Sequence, residues 1–216
     1  MNSVANALLW LHIFAGTVAL LTAVVALLTA KGGVNHVRAG RVYALAMTLV
    51  FLTAVPLAML GANIFLLLIA FFSFYLVFAG WRFAKNYSGS AQPVDWIAIA
   101  VMALTAFLMW CYAAYIAMQG SSQWVTLAIF GAIALALSVV DARYYRAATT
   151  PRLQRIQRHL TNMLAGTIAT VTAVLVVNVS VEPVWIPWIL PTIVITPLIV
   201  WWNIRVARQA RRRRNA

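Results

Sequence analysis

Seven stretches of mostly apolar residues, separated by short polar segments, constrain the fold of this chain more than any other feature. They cover residues 5–30, 42–61, 64–83, 96–118, 124–140, 160–179 and 185–204. Each approaches the length of about 20 residues that an α-helix needs to cross a bilayer. No alternating pattern indicates a β-barrel, and 64% of the residues are hydrophobic whereas only 9% are charged. We therefore predict an all-α integral membrane protein, a seven-helix bundle that forms a single domain over residues 1–216.

The lysine and arginine residues predict how this bundle is oriented, because loops that stay in the cytoplasm accumulate positive charge. All sixteen fall on one side of a seven-helix threading, in the segments that follow helices 1, 3, 5 and 7. We expect the N-terminus outside, the C-terminus in the cytoplasm, and a location in the bacterial inner membrane. The first stretch follows no basic residue and lacks a small-residue cleavage site, so we interpret it as a retained helix.

The net charge of +13 at pH 7 raises the question of a nucleic-acid partner. We favour anionic lipids instead, because the cations lie in loops and in a tail that would adjoin the cytoplasmic headgroups. The single cysteine, Cys111, excludes an internal disulfide and a zinc site built from cysteines. The partners predicted from charge are therefore the bilayer and its anionic lipids, with no nucleic acid.

His12 is the only histidine that falls well inside a predicted span, about two turns from the outer end of helix 1. It lies on a stripe of small residues that favours packing against other helices, and an ionisable group in that position is a candidate working residue. The alternative is a neutral imidazole that is hydrogen-bonded to a neighbouring helix. Its candidate partners in helix 6 are Thr170, Thr172 and Asn178.

The other two histidines, His36 and His159, stand among arginines at the predicted cytoplasmic starts of helices 2 and 6. One interpretation is that they cap helices and pair with acids, where Asp95 begins helix 4 and Asp141 ends helix 5. A second is an anion, lipid-headgroup or cofactor site, because helix N-termini favour anions. Its candidate residues are His36, Arg38, Arg41, Asp141, Arg158 and His159.

A third interpretation is that His36 and His159 hold a metal ion or a single haem b, since imidazole is a common ligand. The arginines around both histidines repel a cation and oppose this reading. His12 lies on the order of 20 Å from their level, given a rise of about 1.5 Å per residue, and would not share such a site.

Three segments resemble a known group of proteins: "HVRAGRVY", "RHLTNMLAGTIATVTAVLVVN" and "WIPWILPTIVITPLIVWW". Over most of its length the chain is similar to the bacterial predicted membrane proteins grouped as domain of unknown function 2306. The most specific element is His-x-Arg-x-Gly-Arg-x-Tyr. The resemblance implies a multi-pass fold and no assigned activity. It marks as positions of interest His12, His36, Arg38, Gly40, Arg41, Tyr43, His159, Met163 and Asn178.

Several seven-helix functions are excluded by missing residue types. The last helix has no lysine for retinal, three histidines do not supply two bis-histidine haems, and no set of His and Asp residues converges at one depth for zinc hydrolysis. We therefore expect no enzymatic activity of its own, and predict binding or translocation of a small molecule or proton through the bundle. The alternatives are a haem or metal redox protein that uses His36 and His159, and a scaffold or accessory subunit that has a membrane-protein partner or forms a homo-oligomer.

The order of the spans suggests one further hypothesis. Helices 1–3 and 5–7 run in matching directions, so they would form a weak parallel repeat with helix 4 as the linker. The support is topological, since the two halves share little sequence.

Overall fold

A computed structural model describes residues 3–147 and 152–215. Within these residues all regular structure is helical, in seven α-helices: α1 (Ser3–Leu28), α2 (Val34–Leu60), α3 (Ile64–Lys85), α4 (Pro93–Met118), α5 (Trp124–Arg146), α6 (Arg152–Asn178) and α7 (Ile186–Asn215). All seven are long and apolar enough to cross a membrane, as a multi-pass membrane protein requires. The prediction of an all-α chain with seven such helices is confirmed.

Four helices run at least six residues further than the apolar stretches predict, and each of these extensions carries basic residues. α2 begins at Val34 instead of 42, α6 begins at Arg152 instead of 160, α5 ends at Arg146 instead of 140, and α7 continues to Asn215. Arginine is a good helix former and its long stem covers apolar surface, so the helix continues where the apolar pattern stops. Residues 148–151 of the predicted basic connection and the side chains of Arg213 and Arg214 lie outside the described part.

The chain divides into two compact units, residues 1–74 and 75–216, with α3 contributing to both. In the first unit α1 packs against α2. The buried residues of α1 are Ala15, Ala19 and Ala23, whose four-residue spacing gives a smooth face for close helix contact. Phe51 of α2 stacks on Phe74 of α3 with ring centroids 4.3 Å apart. This unit is therefore held by small residues and aromatic packing.

In the second unit α4 packs against α5 and α6 against α7. The α4–α5 contact is closest at Gly131, where a Cβ atom would lie 2.7 Å from Nε1 of Trp110. The same indole nitrogen donates a hydrogen bond of 3.1 Å to the carbonyl of Ala128. A glycine is therefore required here because the Trp110 ring occupies the space of a side chain.

α6 crosses the end of α3 at a second close contact. A Cβ atom on Gly80 would lie 2.8 Å from Cγ of Met163 and 3.1 Å from its backbone nitrogen. Arg155, two turns earlier on α6, donates to the carbonyl of Ala84 at 2.8 Å. This crossing brings the first half of α6 onto the C-terminal end of α3, where the candidate site lies.

Candidate functional site

Asp141 is the centre of a buried polar cluster in the second unit. Its side chain is 1% exposed, and Oδ2 accepts a hydrogen bond of 2.8 Å from the hydroxyl of Tyr75 on α3. Nε of Arg158 on α6 lies 3.0 Å from Oδ1, so the carboxylate forms an ion pair with a cation from a third element. The cluster therefore joins α3, α5 and α6 through one acid. α5 continues five residues beyond Asp141, so the prediction that this acid ends helix 5 was wrong.

Asn162 extends the cluster one turn along α6. It is fully buried, its amide faces the Asp141 carboxylate, and its Nδ2 donates to the carbonyl of Arg158 at 3.1 Å. Among the described residues no hydrogen-bond partner meets Oδ1 of Asn162, Nη2 of Arg158 or the hydroxyl of Tyr144. A buried polar atom without a partner is costly, so this cluster has the donors and acceptors to hold water or a small polar ligand.

A second ion pair lies at the same end of the unit. Arg82, in the last turn of α3, donates to Asp95 through Nε at 2.6 Å and Nη2 at 2.8 Å. Asp95 also accepts the backbone N–H of Gln92 at 2.8 Å, which caps the start of α4. The two arginine bonds and the cap engage both oxygens of this carboxylate. Asp95 therefore acts as a structural anchor between α3 and α4.

A small cavity separates the two ion pairs. Its lining includes Asp95, Asp141, Tyr75, Tyr145 and Arg82, and its volume is about 10 Å³. A space of that size accepts about one water molecule. Most of the wall is apolar, but Asp141 and Tyr75 are part of it, so a water placed there would contact the buried Asp141 site.

Buried hydroxyls continue from the cluster along three helices of the same unit. Ser138 precedes Asp141 by one turn on α5, and Thr126 lies 15 residues before Asp141, or about 22 Å along the helix. Thr105 on α4 and Thr172 on α6 are also buried. α5 therefore buries a hydroxyl near each end, with the apolar Leu127, Phe130 and Ala134 between them.

His159 lies in the same unit, one residue after Arg158. It is the eighth residue of α6, not part of a helix N-terminus as predicted, because α6 begins at Arg152. Its backbone N–H therefore lies inside the helix and is not one of the free N–H groups that bind anions at a helix N-terminus. Nδ1 lies 2.9 Å from the carbonyl of Gly80, which fastens α6 to α3.

The other predicted members of this group lie in the first unit. His36 is the third residue of α2, and its Nδ1 lies 3.0 Å from the carbonyl of Ala26 at the end of α1. Lys31 donates to the same carbonyl at 3.0 Å, and its partial burial lowers its pKa. Arg38 and Arg41 are exposed. His36 and Lys31 thus cover carbonyl groups at the end of α1.

His12 contacts α2 of its own unit. Its Nδ1 lies 3.0 Å from Oγ1 of Thr53, and that hydroxyl donates its single proton to the carbonyl of Leu49 at 2.8 Å. The hydroxyl oxygen therefore accepts a hydrogen bond from Nδ1–H, which leaves the lone pair of the neutral ring on Nε2.

The predicted partners of His12 on α6 lie in the second unit, and two of them make a hydrogen bond within their own helix. Thr170 donates to the carbonyl of Gly166 at 3.0 Å, and Asn178 donates to that of Val174 at 2.8 Å. Oγ1 of Thr172 is buried and meets no hydrogen-bond partner in the described part of the chain. Thr172 thus joins the buried hydroxyls that follow the Asp141 cluster.

Two residues of the cluster were not anticipated from the sequence, Tyr75 and Asn162. Asn162 had a readable signal, because Arg155, Arg158 and Asn162 follow at spacings of three and four and so share one face of α6. Tyr75 had none, because it lies in an apolar run rich in aromatic residues.

No three His, Cys, Asp or Glu side chains of the described residues are placed to hold a metal ion together. The chain matches no family model, and no curated protein and no solved structure is significantly similar to it.

Proposed function

We propose that this protein moves protons, alone or together with a small polar solute, across the membrane, and that Asp141 carries the proton. The observation that supports this most is the carboxylate itself, 1% exposed within a helix apolar enough to span a bilayer. Ionisable groups in such helices are costly and mark proton and ion pathways.

The cost of burial argues against a role for Asp141 in helix packing alone. Desolvating an acid and an arginine cancels much of their attraction, and apolar residues of similar volume stabilise a core as well or better. Serine or threonine would join the helices by hydrogen bonds at a lower cost. The partnerless atoms of Arg158 and Asn162 are better explained by water or solute beside a group that changes its charge.

The buried hydroxyls support a path that continues from this carboxylate. Ser138, Thr105 and Thr126 each donate their proton to a nearby acceptor and keep lone pairs that accept. Thr172 is also buried, and Thr126 and Asp141 lie about 22 Å apart along α5. Water that donates to these oxygens would extend a hydrogen-bonded chain from Asp141.

Potential-driven proton uptake tests this function. The protein is reconstituted into liposomes that contain the pH dye pyranine, and a potassium gradient with valinomycin makes the interior negative. We expect wild-type vesicles to acidify faster than protein-free vesicles, and Asp141→Asn to lower the protein-dependent rate at least tenfold, because an amide does not carry a proton. Uptake no faster than in protein-free liposomes would exclude the function.

Two matched variants separate chemistry from folding. Glu182→Gln makes the same acid-to-amide change at an exposed position and should leave the rate unchanged. Asp141→Asn combined with Arg158→Gln removes both charges, so the fold does not depend on an unpaired buried cation. The double variant should fold and remain inactive.

We also propose an orientation, a membrane and a family for this protein. The sixteen basic residues favour an outer N-terminus, a cytoplasmic C-terminus and the bacterial inner membrane, with anionic lipids against the basic face. The histidine and arginine motif of α2 favours membership of the group called domain of unknown function 2306. The role of Asp141 depends neither on this orientation nor on this family membership.

A further inference from the structure

α7 carries a long groove on its exposed side, far along the chain from Asp141. The groove has a volume of about 610 Å³ and is lined by α7 residues between Thr192 and Ile204. Its large apolar side chains are exposed, Ile193 at 63% and Val200 at 52%. Smaller residues separate them, so the groove is a shallow, open depression on one helix and not a uniform apolar ridge.

The dimensions of the groove suit one acyl chain. From Thr192 to Ile204 the helix rises about 18 Å, which matches the ~15 Å depth of one leaflet of the hydrocarbon core. The groove therefore spans a single leaflet. Pro197 lies in the middle of the groove, and because proline has no N–H it leaves the carbonyl of Ile193 without its helical donor.

The basic residues of α7 all follow the C-terminal end of this groove. The guanidinium of Arg205 lies 5.3 Å from the ring centroid of Trp201, which is part of the lining. Arg208 and Arg212 follow at spacings of three and four residues, so they share the face of Trp201 and Arg205, and all three arginines are exposed. A molecule with an apolar chain and an anionic head matches this order.

We propose that this groove holds one anionic phospholipid, with an acyl chain along residues 192–204 and the phosphate on Arg205 and Arg208. Arginine suits this role because its planar guanidinium binds phosphate oxygens in pairs. The site is independent of proton movement by Asp141. It also goes beyond general attraction to a charged surface, since it specifies one retained lipid at one position.

Native mass spectrometry of the detergent-solubilised protein tests the site. Dioleoyl phosphatidylglycerol and dioleoyl phosphatidylcholine have the same chains and differ in headgroup charge. We expect one phosphatidylglycerol to be retained per chain, and much less phosphatidylcholine. Arg205→Gln should weaken that retention about fivefold, the effect of one cation near a lipid surface. Val200→Trp fills the groove and should weaken retention of both lipids.

Arg146→Gln is the matched control, because Arg146 also lies over a tryptophan, 5.7 Å from the ring centroid of Trp96, at the end of α5. It should not change retention. Equal losses in Arg205→Gln and Arg146→Gln, or equal retention of the two lipids, would overturn the proposal in favour of unspecific attraction. A lipid-free dimer that Val200→Trp converts to monomers would overturn it in favour of a second copy on the groove.

Discussion

The hydroxyl of Tyr75 donates a 2.8 Å hydrogen bond to Oδ2 of Asp141, between residues that are 66 positions apart in the chain. Tyr75 is 4% exposed and Asp141 1%, so neither group exchanges this contact for bulk water. The bond fixes one oxygen of the carboxylate and leaves the other to Arg158.

Tyr75→Phe should destabilise the protein, because Asp141 loses a buried donor while the ring is kept. We expect about 1–2 kcal/mol, between the values for hydrogen bonds to charged groups and for those between membrane helices. Reversible unfolding in mixed detergent micelles measures it. Tyr115→Phe removes a hydroxyl at a position that is 53% exposed and should have no effect. Equal stability of the two variants would mean that the Tyr75 bond contributes nothing.

The Asp141–Arg158 pair should show strong coupling in a double-mutant cycle. Removal of either partner leaves a buried charge without compensation, which costs about 3–5 kcal/mol, whereas removal of both costs less. The same unfolding measurement applies to Asp141→Asn, Arg158→Gln and the double variant. Additive losses would show that the two side chains do not interact energetically, despite the 3.0 Å between Nε and Oδ1.

Gly80→Ala should destabilise the second unit, whereas Gly16→Ala should not. A Cβ on Gly80 would lie 3.1 Å from the backbone nitrogen of Met163, and overpacking of this kind costs about 1–3 kcal/mol. A Cβ on Gly16, within α1, would meet nothing within 4 Å, so alanine there should stabilise the helix by about 0.5–1 kcal/mol. Thermal unfolding of the two variants compares their stabilities. A stabilised Gly80→Ala variant would mean that the α3–α6 contact leaves room for a methyl group.

The His12–Thr53 hydrogen bond predicts a difference between two threonines of α2. Thr48 and Thr53 both donate to a carbonyl of their own helix at 2.8 Å, but only Thr53 also accepts from His12. Thr53→Val should therefore lose about 0.6 kcal/mol more than Thr48→Val, the average for hydrogen bonds between membrane helices. Equal losses in an unfolding titration would contradict the bond.

His12→Gln tests whether the same ring has a working role. Glutamine keeps hydrogen-bonding capacity and does not titrate, so the fold should persist while any pH-dependent response that uses the imidazole disappears. The pyranine assay, repeated between pH 5 and 8, measures it. A variant that matches wild type throughout would reduce His12 to a packing residue.

The orientation proposed from charge is testable with reporter fusions. An enzyme that is active only in the periplasm should be silent after residue 216, because six arginines follow the apolar part of α7. The same reporter should be active within residues 119–123, between α4 and α5. The reverse pattern would invert the threading.

Much of the fold was readable from the sequence, because hydropathy and charge are local properties. Seven apolar stretches of sufficient length predict seven helices whatever their packing partners, and α1 to α7 follow. The helix ends were less readable, since the hydropathy pattern stops at the arginines of α5, α6 and α7 but backbone hydrogen bonding does not.

The candidate site depended on tertiary structure. The sequence marked Asp141, Arg158 and His159 as unusual, yet it did not show that Asp141 meets Tyr75, because that contact requires α3 and α5 to pack in one register. Nor did it show that Thr53 receives the hydrogen bond of His12. Each helix is specified by its own residues, whereas the partner of a buried polar group is specified by the rotation and depth at which two helices meet.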